Sequence, residues 1–469
     1  MRASTPAQAL SRVMVDELIR HGVKHACLAP GSRSAPLALA FAESEIELHV
    51  GLDERSVSFL AVGIAKTSHE PVAVLCTSGT AAANLHPAIV EAHHSRTPLI
   101  AFTADRPPEL RDTGASQTID QIKMFGDAVR WFAEVGVPET QPTSNAYWRS
   151  VVSHAVAMAT GSPPGAVHLN VAFRDPLVPT DDEAFPYELD GRADGGAWAE
   201  VVTGQPDLSG DELRRVTDEL TQAKSGVVVA GAGTFAGAGP RRVAAELGWP
   251  LLADPFSGAR SGDAISTYDA LLSHEPFRKK RAPDVVLRFG AGILSKPLAS
   301  LISHAPSQFL VDRDGWFLDP GRSTTRVITA DVDVFADRLI EALADVNRND
   351  SHHEHLEAWS QADAAARKPI DGLLDEDDSP SEPRVARDVA AAIPDGGTLV
   401  VASSMPLRDV EAFMAPREGL RLIANRGANG IDGFVSTALG VALASGGPTV
   451  ALCGDLSMLH DQNGLLLLR

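Results

Sequence analysis

Five short runs of small and polar residues carry the side chains best suited to chemistry, and each closes an apolar stretch: Pro30-Gly31-Ser32-Arg33, Thr77-Ser78-Gly79-Thr80, Ser403-Ser404, Asn425-Arg426-Gly427 and Gly454-Asp455. Arg33, Arg106 and Arg426 directly follow such stretches, and Arg408 lies one helical turn beyond Ser404. A guanidinium offers a two-pronged fork for a carboxylate. Read singly, each arginine is an ordinary surface ion pair. Read together, in a chain of formal charge −20, they predict local positive pockets for a multiply anionic ligand. Asp53-Glu54-Arg55 opens an apolar helix. Acidic residues suit a first helical turn through the dipole alone, yet a buried Glu54 could also share a proton with a ring nitrogen. Gly454-Asp455-Leu456-Ser457 follows the run TVALC. A carboxylate there can ligate Mg²⁺ while backbone N–H groups meet phosphate. The same pair by itself is a common turn or helix cap.

Other motifs carry less. Gly231-Ala232-Gly233-Thr234-Phe235-Ala236-Gly237 follows GVVVA, but its GxGxxxG spacing is a weak dinucleotide signal. His352, His353 and His355 fall in a polar stretch without metal-site spacing and read as a solvated helix start. The basic run Arg278-Lys279-Lys280-Arg281 reads as a solvated surface loop. No P-loop, HExxH or GxSxG occurs. The three cysteines, Cys27, Cys76 and Cys453, end apolar runs without redox or metal spacing, which predicts buried free thiols in a reducing, cytoplasmic setting.

The elements that must position these residues follow βαβ syntax. Thr5 caps a helix from Pro6 whose inner face is Leu10, Val13, Met14 and Leu18. HACLAP, ELHVG, PVAVLCTSG, PLIAFTAD and AVHLNVAF read as strands separated by helices over 55–66 and 81–94. GVVVAGAG, PLLAD, DVVLRFG and QFLVDRD repeat the pattern, as do TLVVASS, RLIANRG and TVALCGD. Such alternation implies parallel sheets with helices on both faces and ligands at the strand ends. Composition shifts divide the chain into domains at 1–175, 209–347 and 383–469. Linkers at 176–208 and 348–382 join them, the second holding a helix near 356–366.

The chain has 469 residues, 44% hydrophobic and 22% charged, enough for about three domains. No run of eighteen apolar residues predicts a membrane span. The N-terminus has no apolar signal core. The acidic balance, without a long basic run, argues against a nucleic-acid binder.

Taken together, these signals resemble thiamine diphosphate enzymes of the pyruvate-oxidase-like architecture: α/β proteins with three doubly wound parallel-sheet domains, which bind the pyrimidine, occupy the centre and bind the diphosphate. Within them, GSRSAPL, TADRPPELRDTGASQTIDQ, the Ser404–Arg408 pair, NRGANGIDG and GDLSMLHD are similar to the 2-succinyl-5-enolpyruvyl-6-hydroxy-3-cyclohexene-1-carboxylate synthase family. The resemblance runs from Gly31 to Asp461. It implies decarboxylation of 2-oxoglutarate and 1,4-addition of the resulting carbanion to isochorismate in menaquinone biosynthesis, with thiamine diphosphate and Mg²⁺ (or Mn²⁺) as cofactors. Glu54 would face the aminopyrimidine of the cofactor and promote loss of the thiazolium C2 proton. Ser32, Arg33, Arg106, Gln117, Ser404, Arg408 and Arg426 match substrate-binding positions. Lys296 falls near a basic family position, where Pro297 replaces a second basic residue. Pro30, Gly31, Ile431, Gly454, Asp455, Leu456 and Ser457 match cofactor-binding positions. Ile431 would be the apolar wedge beneath the bent cofactor, and Asp455 the first protein ligand of the metal.

The resemblance further implies a homodimer or homotetramer with the cofactor between subunits, so that Glu54 and Asp455 of one chain serve different sites. The family's metal motif continues beyond the last residue here, which leads to the expectation that the third domain is cut short. Two other readings stay open, the first of which shares Glu54 and Asp455. One is an acetohydroxyacid synthase or 2-oxoacid decarboxylase, which would need fewer arginines. The other is a non-catalytic binding or regulatory homologue.

Overall fold

A computed structural model describes residues 3–178, 184–233, 237–344, 350–376 and 379–468. The chain forms two compact units, Met1–Thr203 with Asn425–Arg469, and Gly204–Ala424. In the first unit, β1 (His25–Leu28), β2 (Glu47–Val50), β3 (Val72–Cys76), β4 (Leu99–Asp105), β5 (Trp131–Gly136) and β6 (Ala166–Ala172) build one sheet in the order β2-β1-β3-β4-β6-β5. Every pairing in it is parallel. Strand alternation splits its side chains between two cores. Ala73, Leu75, Ile100 and Phe102 face one; Val72, Val74, Leu99 and Ala101 face the other. A sheet covered on both faces requires such continuous apolar strands.

The second unit repeats the plan with β7 (Gly226–Ala230), β8 (Leu251–Ala253), β9 (Val285–Phe289), β10 (Ser307–Asp312) and β11 (Arg326–Thr329), ordered β11-β10-β9-β7-β8 and all parallel. A third, smaller parallel sheet contains β12 (Gly397–Val401) and β13 (Leu420–Ile423); β14 (Thr449–Leu452) lies in the first unit. The α/β fold is as expected. The strands missing from the sequence reading, β5 and β11, are both sheet edges. Half-exposed on one side, they lack the unbroken apolar run that marks a central strand.

The local predictions can be checked residue by residue. Thr5 caps Pro6–Arg20 by accepting the Gln8 N–H at 3.1 Å, and Leu10, Val13, Met14 and Leu18 are fully buried. The helix placed at 55–66 runs Glu54–Ser68. The one placed at 81–94 is two, Thr80–Asn84 and His86–His94, because Pro87 cannot continue the first.

The stretch taken as a polar linker with a short helix is instead the 27-residue helix Asp350–Glu376. His352, His355, Trp359 and Asp363 recur at helical spacing on its inner side. Trp359 is fully buried, 5.1 Å from the Phe277 ring. His352 Nε2 lies 2.7 Å from the Ala223 carbonyl. Asp363 Oδ1 accepts the Ser266 and Thr267 N–H groups at 3.0 and 2.7 Å. The reading of these histidines as solvated is therefore corrected for His352 and His355, both buried, whereas His353 is exposed. Burial first, then the nearby Arg281 charge, push His355 down to about 4. Polar and aromatic residues formed the buried face, so no aliphatic stripe announced it.

Cys27 and Cys76 are buried free thiols, and Cys453 is half-buried. Within the glycine-rich turn after β7, Thr234, Phe235 and Ala236 lie outside the described residues. Among the described residues, no helix is long and apolar enough to cross a membrane.

Candidate active site

The first sheet reverses its winding between β1 and β3: β2 is added on one side of β1, and the chain then crosses back to add β3 on the other. Open parallel sheets bind ligands beyond strand C-termini at such a point. The turns after β1 and β3 touch there. A side chain at Gly31 would strike Thr77 Cβ at 2.3 Å, so only glycine fits. Pro30 and Ser32 flank it, exposed to solvent.

Two predicted substrate-binding residues, Arg106 and Gln117, hold the turn after β3, and a third, Arg33, belongs to the turn after β1. Arg106, just beyond β4, donates from Nη1 to Ser78 Oγ. Gln117 donates from Nε2 to the Ser78 carbonyl at 3.1 Å, and its own carbonyl accepts from Ser78 Oγ at 3.0 Å. Gln117 adopts φ 58° to do so. Arg33 donates from Nη1 to the Phe173 carbonyl at 2.9 Å, and Nη1 lies 3.7 Å from Asp175 Oδ1. Its Nε is buried without a hydrogen-bond partner among the described residues. Burial lowers Arg106 below its usual value, and the adjacent Arg33 charge lowers it further. Two like charges held side by side, one with an orphaned donor, form a site that an anion would complete.

The machinery holding this turn escaped sequence reasoning. Asp105, fully buried, accepts the Arg106 N–H at 2.7 Å and Arg111 Nη2 at 2.8 Å. Asn170 donates to Asp105 Oδ2 at 3.0 Å and accepts from Gln121 Nε2 at 2.9 Å. Gln121 Oε1 closes the chain by accepting the Gly79 N–H at 2.9 Å. Unbroken buried bonds thus join the ends of β3, β4 and β6. The available signal was a polar residue inside otherwise apolar strands, LIAFTAD and AVHLNVAF, which burial tolerates only when it is paired.

Glu54 opens its helix half-buried, with Asn84 Nδ2 at 3.5 Å from Oε2. Asp53 caps the helix through the Arg55 and Ser56 N–H groups at 2.9 and 3.2 Å. Burial, and secondarily the Glu54 charge, push the Cys76 thiol up, so the end of β3 feels this carboxylate. The helix Glu54–Ser68 packs tightly on Phe434–Ser445: a side chain at Gly63 would meet the Thr437 carbonyl at 2.1 Å, and one at Gly440 the Leu60 carbonyl at 2.1 Å.

Arg426 and Ile431, both half-buried, lie in the segment between β13 and Phe434–Ser445. Sequence reasoning passed over Lys66 and Glu91, which touch this segment. Gly454 precedes the short helix Asp455–His460. Asp455 and Leu456 are exposed and Ser457 is buried. Asp455 Oδ1 accepts the Leu456 N–H at 2.8 Å. The end of this helix and the chain after it return to the Glu54 helix: Arg55 donates to the His460 carbonyl at 2.9 Å, and Asn463 to Asp53 Oδ2 at 2.8 Å.

The remaining predicted residues belong to the second unit. Ser404, at φ 88°, precedes Met405–Phe413, and Arg408 is exposed one turn along it with Nη1 3.8 Å from Met405 Sδ. Lys296 is exposed at the start of Lys296–Ser303. Among the described residues, one further cluster has metal-ligand chemistry, His25, Glu47 and His49 on β1 and β2. It does not include Asp455.

A family model described as "Thiamine pyrophosphate enzyme, N-terminal TPP binding domain" matches residues 8–124, and one described as "Middle domain of thiamine pyrophosphate" matches 208–401. The chain is 49% identical to a 2-succinyl-5-enolpyruvyl-6-hydroxy-3-cyclohexene-1-carboxylate synthase of Thermobifida fusca, across 98% of this chain and 81% of the relative. Synthases of the same name from Saccharopolyspora erythraea and Chloroflexus aurantiacus are each 42% identical, over 98% and 97% of this chain and 80% and 78% of theirs. The chain belongs to this synthase family of thiamine pyrophosphate enzymes.

Proposed function

We propose that this protein decarboxylates 2-oxoglutarate and transfers the four-carbon remainder to isochorismate, the carbon–carbon bond-forming step that its family name describes, in menaquinone biosynthesis. One observation carries the reading: Arg106, held on Ser78, feels the charge of the adjacent Arg33, whose buried Nε has no hydrogen-bond partner among the described residues, and a carboxylate would answer both. Both substrates are dicarboxylates. A monocarboxylic 2-oxoacid would leave part of this charge unmatched, which disfavours the acetohydroxyacid synthase alternative.

The donor chemistry suits the family's cofactors. Glu54 offers a half-buried carboxyl to a ring nitrogen, and Ile431 a stiff apolar surface. Asp455 offers the hard oxygen that Mg²⁺ or Mn²⁺ prefers, and Gly454, Leu456 and Ser457 the backbone around it. Thiamine diphosphate, when bound, supplies the electron sink that permits loss of CO₂. Glu54 holds or shares the proton at the ring nitrogen. Arg33, Arg106 and Gln117 bind and orient the dicarboxylate on the Ser78 turn, with Ser32 beside them, and Arg426 faces the same task from its own segment. Within the second unit, Ser404 and Arg408 match the family's substrate-binding positions, and Lys296 falls near one.

The three-domain partition and a homodimer or homotetramer accompany this reading. Leu52, Leu456 and Leu459 are each more than 60% exposed, apolar side chains that a second copy of this chain would cover. The test is isochorismate consumption by the full-length protein with 2-oxoglutarate, thiamine diphosphate and Mg²⁺ present or omitted one at a time. Loss of signal on each omission is the expected result. Consumption that persists without 2-oxoglutarate, or that pyruvate supports better, overturns the proposal.

A further inference from the structure

The segment 425–433 contains no helix or strand, yet it carries Arg426 and Ile431. Its backbone N–H groups must find acceptors elsewhere. Three consecutive ones converge on one side chain. Glu91, fully buried in His86–His94, accepts the Gly427 N–H on Oε1 at 3.0 Å and the Ala428 and Asn429 N–H groups on Oε2 at 2.8 and 3.1 Å. Successive N–H groups aimed at one point form an anion nest, and here the anion is built into the protein. Lys66 Nζ donates to Glu91 Oε1 at 2.7 Å and to Asn425 Oδ1 at 3.0 Å. Asn425 Nδ2 in turn donates to Thr437 Oγ1 at 2.8 Å. Gly427 lies directly on the end of the Glu91 helix: a side chain there would meet the Glu91 carbonyl at 2.6 Å and the Ser95 nitrogen at 2.8 Å.

Lys66 therefore grips residue 425, and Glu91 grips 427, 428 and 429. We infer that Lys66 and Glu91 are positioning residues that bracket Arg426 and fix the loop carrying it, so that its guanidinium meets the dicarboxylate substrate in a set orientation. The role assigned to Arg426 rests on the proposed function; the clamp itself does not. Despite burial, which alone would raise it, Glu91 is held below the usual carboxylate range by the Lys66 charge and by its bonds to Lys66, Ala428 and Gly427. A buried ion pair is a poor source of net stability, and neutral replacements of similar volume often cost nothing. That separates positioning from mere stabilisation. A glutamine at 91 would present one acceptor oxygen and an NH₂ group to three N–H donors, and so could not reproduce the nest.

The test compares the full-length protein with Glu91→Gln and with Lys66→Met/Glu91→Gln, in which no charge is left buried and unpaired. Amide hydrogen exchange at Gly427, Ala428 and Asn429, measured without cofactor, is expected to quicken at least tenfold in both. The KM for 2-oxoglutarate is expected to rise at least tenfold in both, with kcat falling less. The melting temperature drops in the single variant and largely recovers in the double. Wild-type exchange at the three amides, or a double variant that regains both melting temperature and KM, overturns the inference. If the unaltered protein does not turn over 2-oxoglutarate, the proposed function fails, and the exchange rates still decide whether Glu91 holds the loop.

Discussion

The two sets of predicted anion-binding residues are built differently. Around Ser78, Arg33 and Arg106 are held by carbonyl and hydroxyl partners, and buried bonds run behind them from Asp105 through Asn170 and Gln121 to Gly79. On Met405–Phe413, Ser404 and Arg408 project exposed from one short helix. The first arrangement exists before any ligand arrives, so binding there costs little ordering entropy. An exposed arginine must give up rotamer freedom when it binds. If both sets bind anions, the first should do so with the smaller loss of side-chain freedom.

The largest expected effect is on Glu54, which stands outside both sets. Glu54→Gln should lower kcat by about 100-fold or more, the scale of general acid–base work, with circular dichroism and melting temperature unchanged. Retained turnover would remove Glu54 from the mechanism.

Next come the arginines. Arg106→Met should weaken 2-oxoglutarate recognition by about 2 kcal/mol, a roughly thirtyfold rise in KM. Arg408→Met should cost tenfold or less. Equal effects, or the reverse order, would break the comparison. Gln121→Leu sharpens it from behind: it strips the acceptor from the Gly79 N–H and should cost about 1–3 kcal/mol in chemical denaturation, raising KM as well.

The smallest effect concerns pH. Glu411, on the helix of Arg408, accepts Tyr268 Oη–H at 2.8 Å and is raised to about 7, chiefly by burial and then by the Asp254 charge. The folded state therefore keeps a proton that the unfolded chain loses near the ordinary value of 4.5. This stabilising contribution is full below about 4.5 and is lost as pH rises through about 7. Glu411→Gln should flatten that part of the stability–pH curve between pH 4.5 and 7. An unchanged slope would show that Glu411 does not titrate there.

Much of the site was legible because strand ends are marked locally. Apolar runs closed by Gly, Ser and Asp placed Gly31, Ser78, Arg106, Ser404 and Asp455 beside their strands or helices, and helix-start chemistry marked Thr5 as a cap. The long helix Asp350–Glu376 was read too short because its inner face is His, Trp and Asp. The edge strands β5 and β11 were missed because half-exposed strands lose the apolar signature. Glu91 and Lys66 resembled solvated helix charges, as most such residues are. Only their burial against residues more than 300 positions away distinguishes them.

The sequence by itself determined the order of elements, the parallel α/β plan and the reactive residues at strand ends, because helical and strand periodicity and turn chemistry act over a few residues. Tertiary structure alone decided that Arg33 lies beside Arg106 and that Glu91 caps the loop of Arg426. Those neighbours depend on strand order and on the close crossing at Gly63 and Gly440, where burial removes water and makes each unpaired donor or charge costly enough to choose its partner.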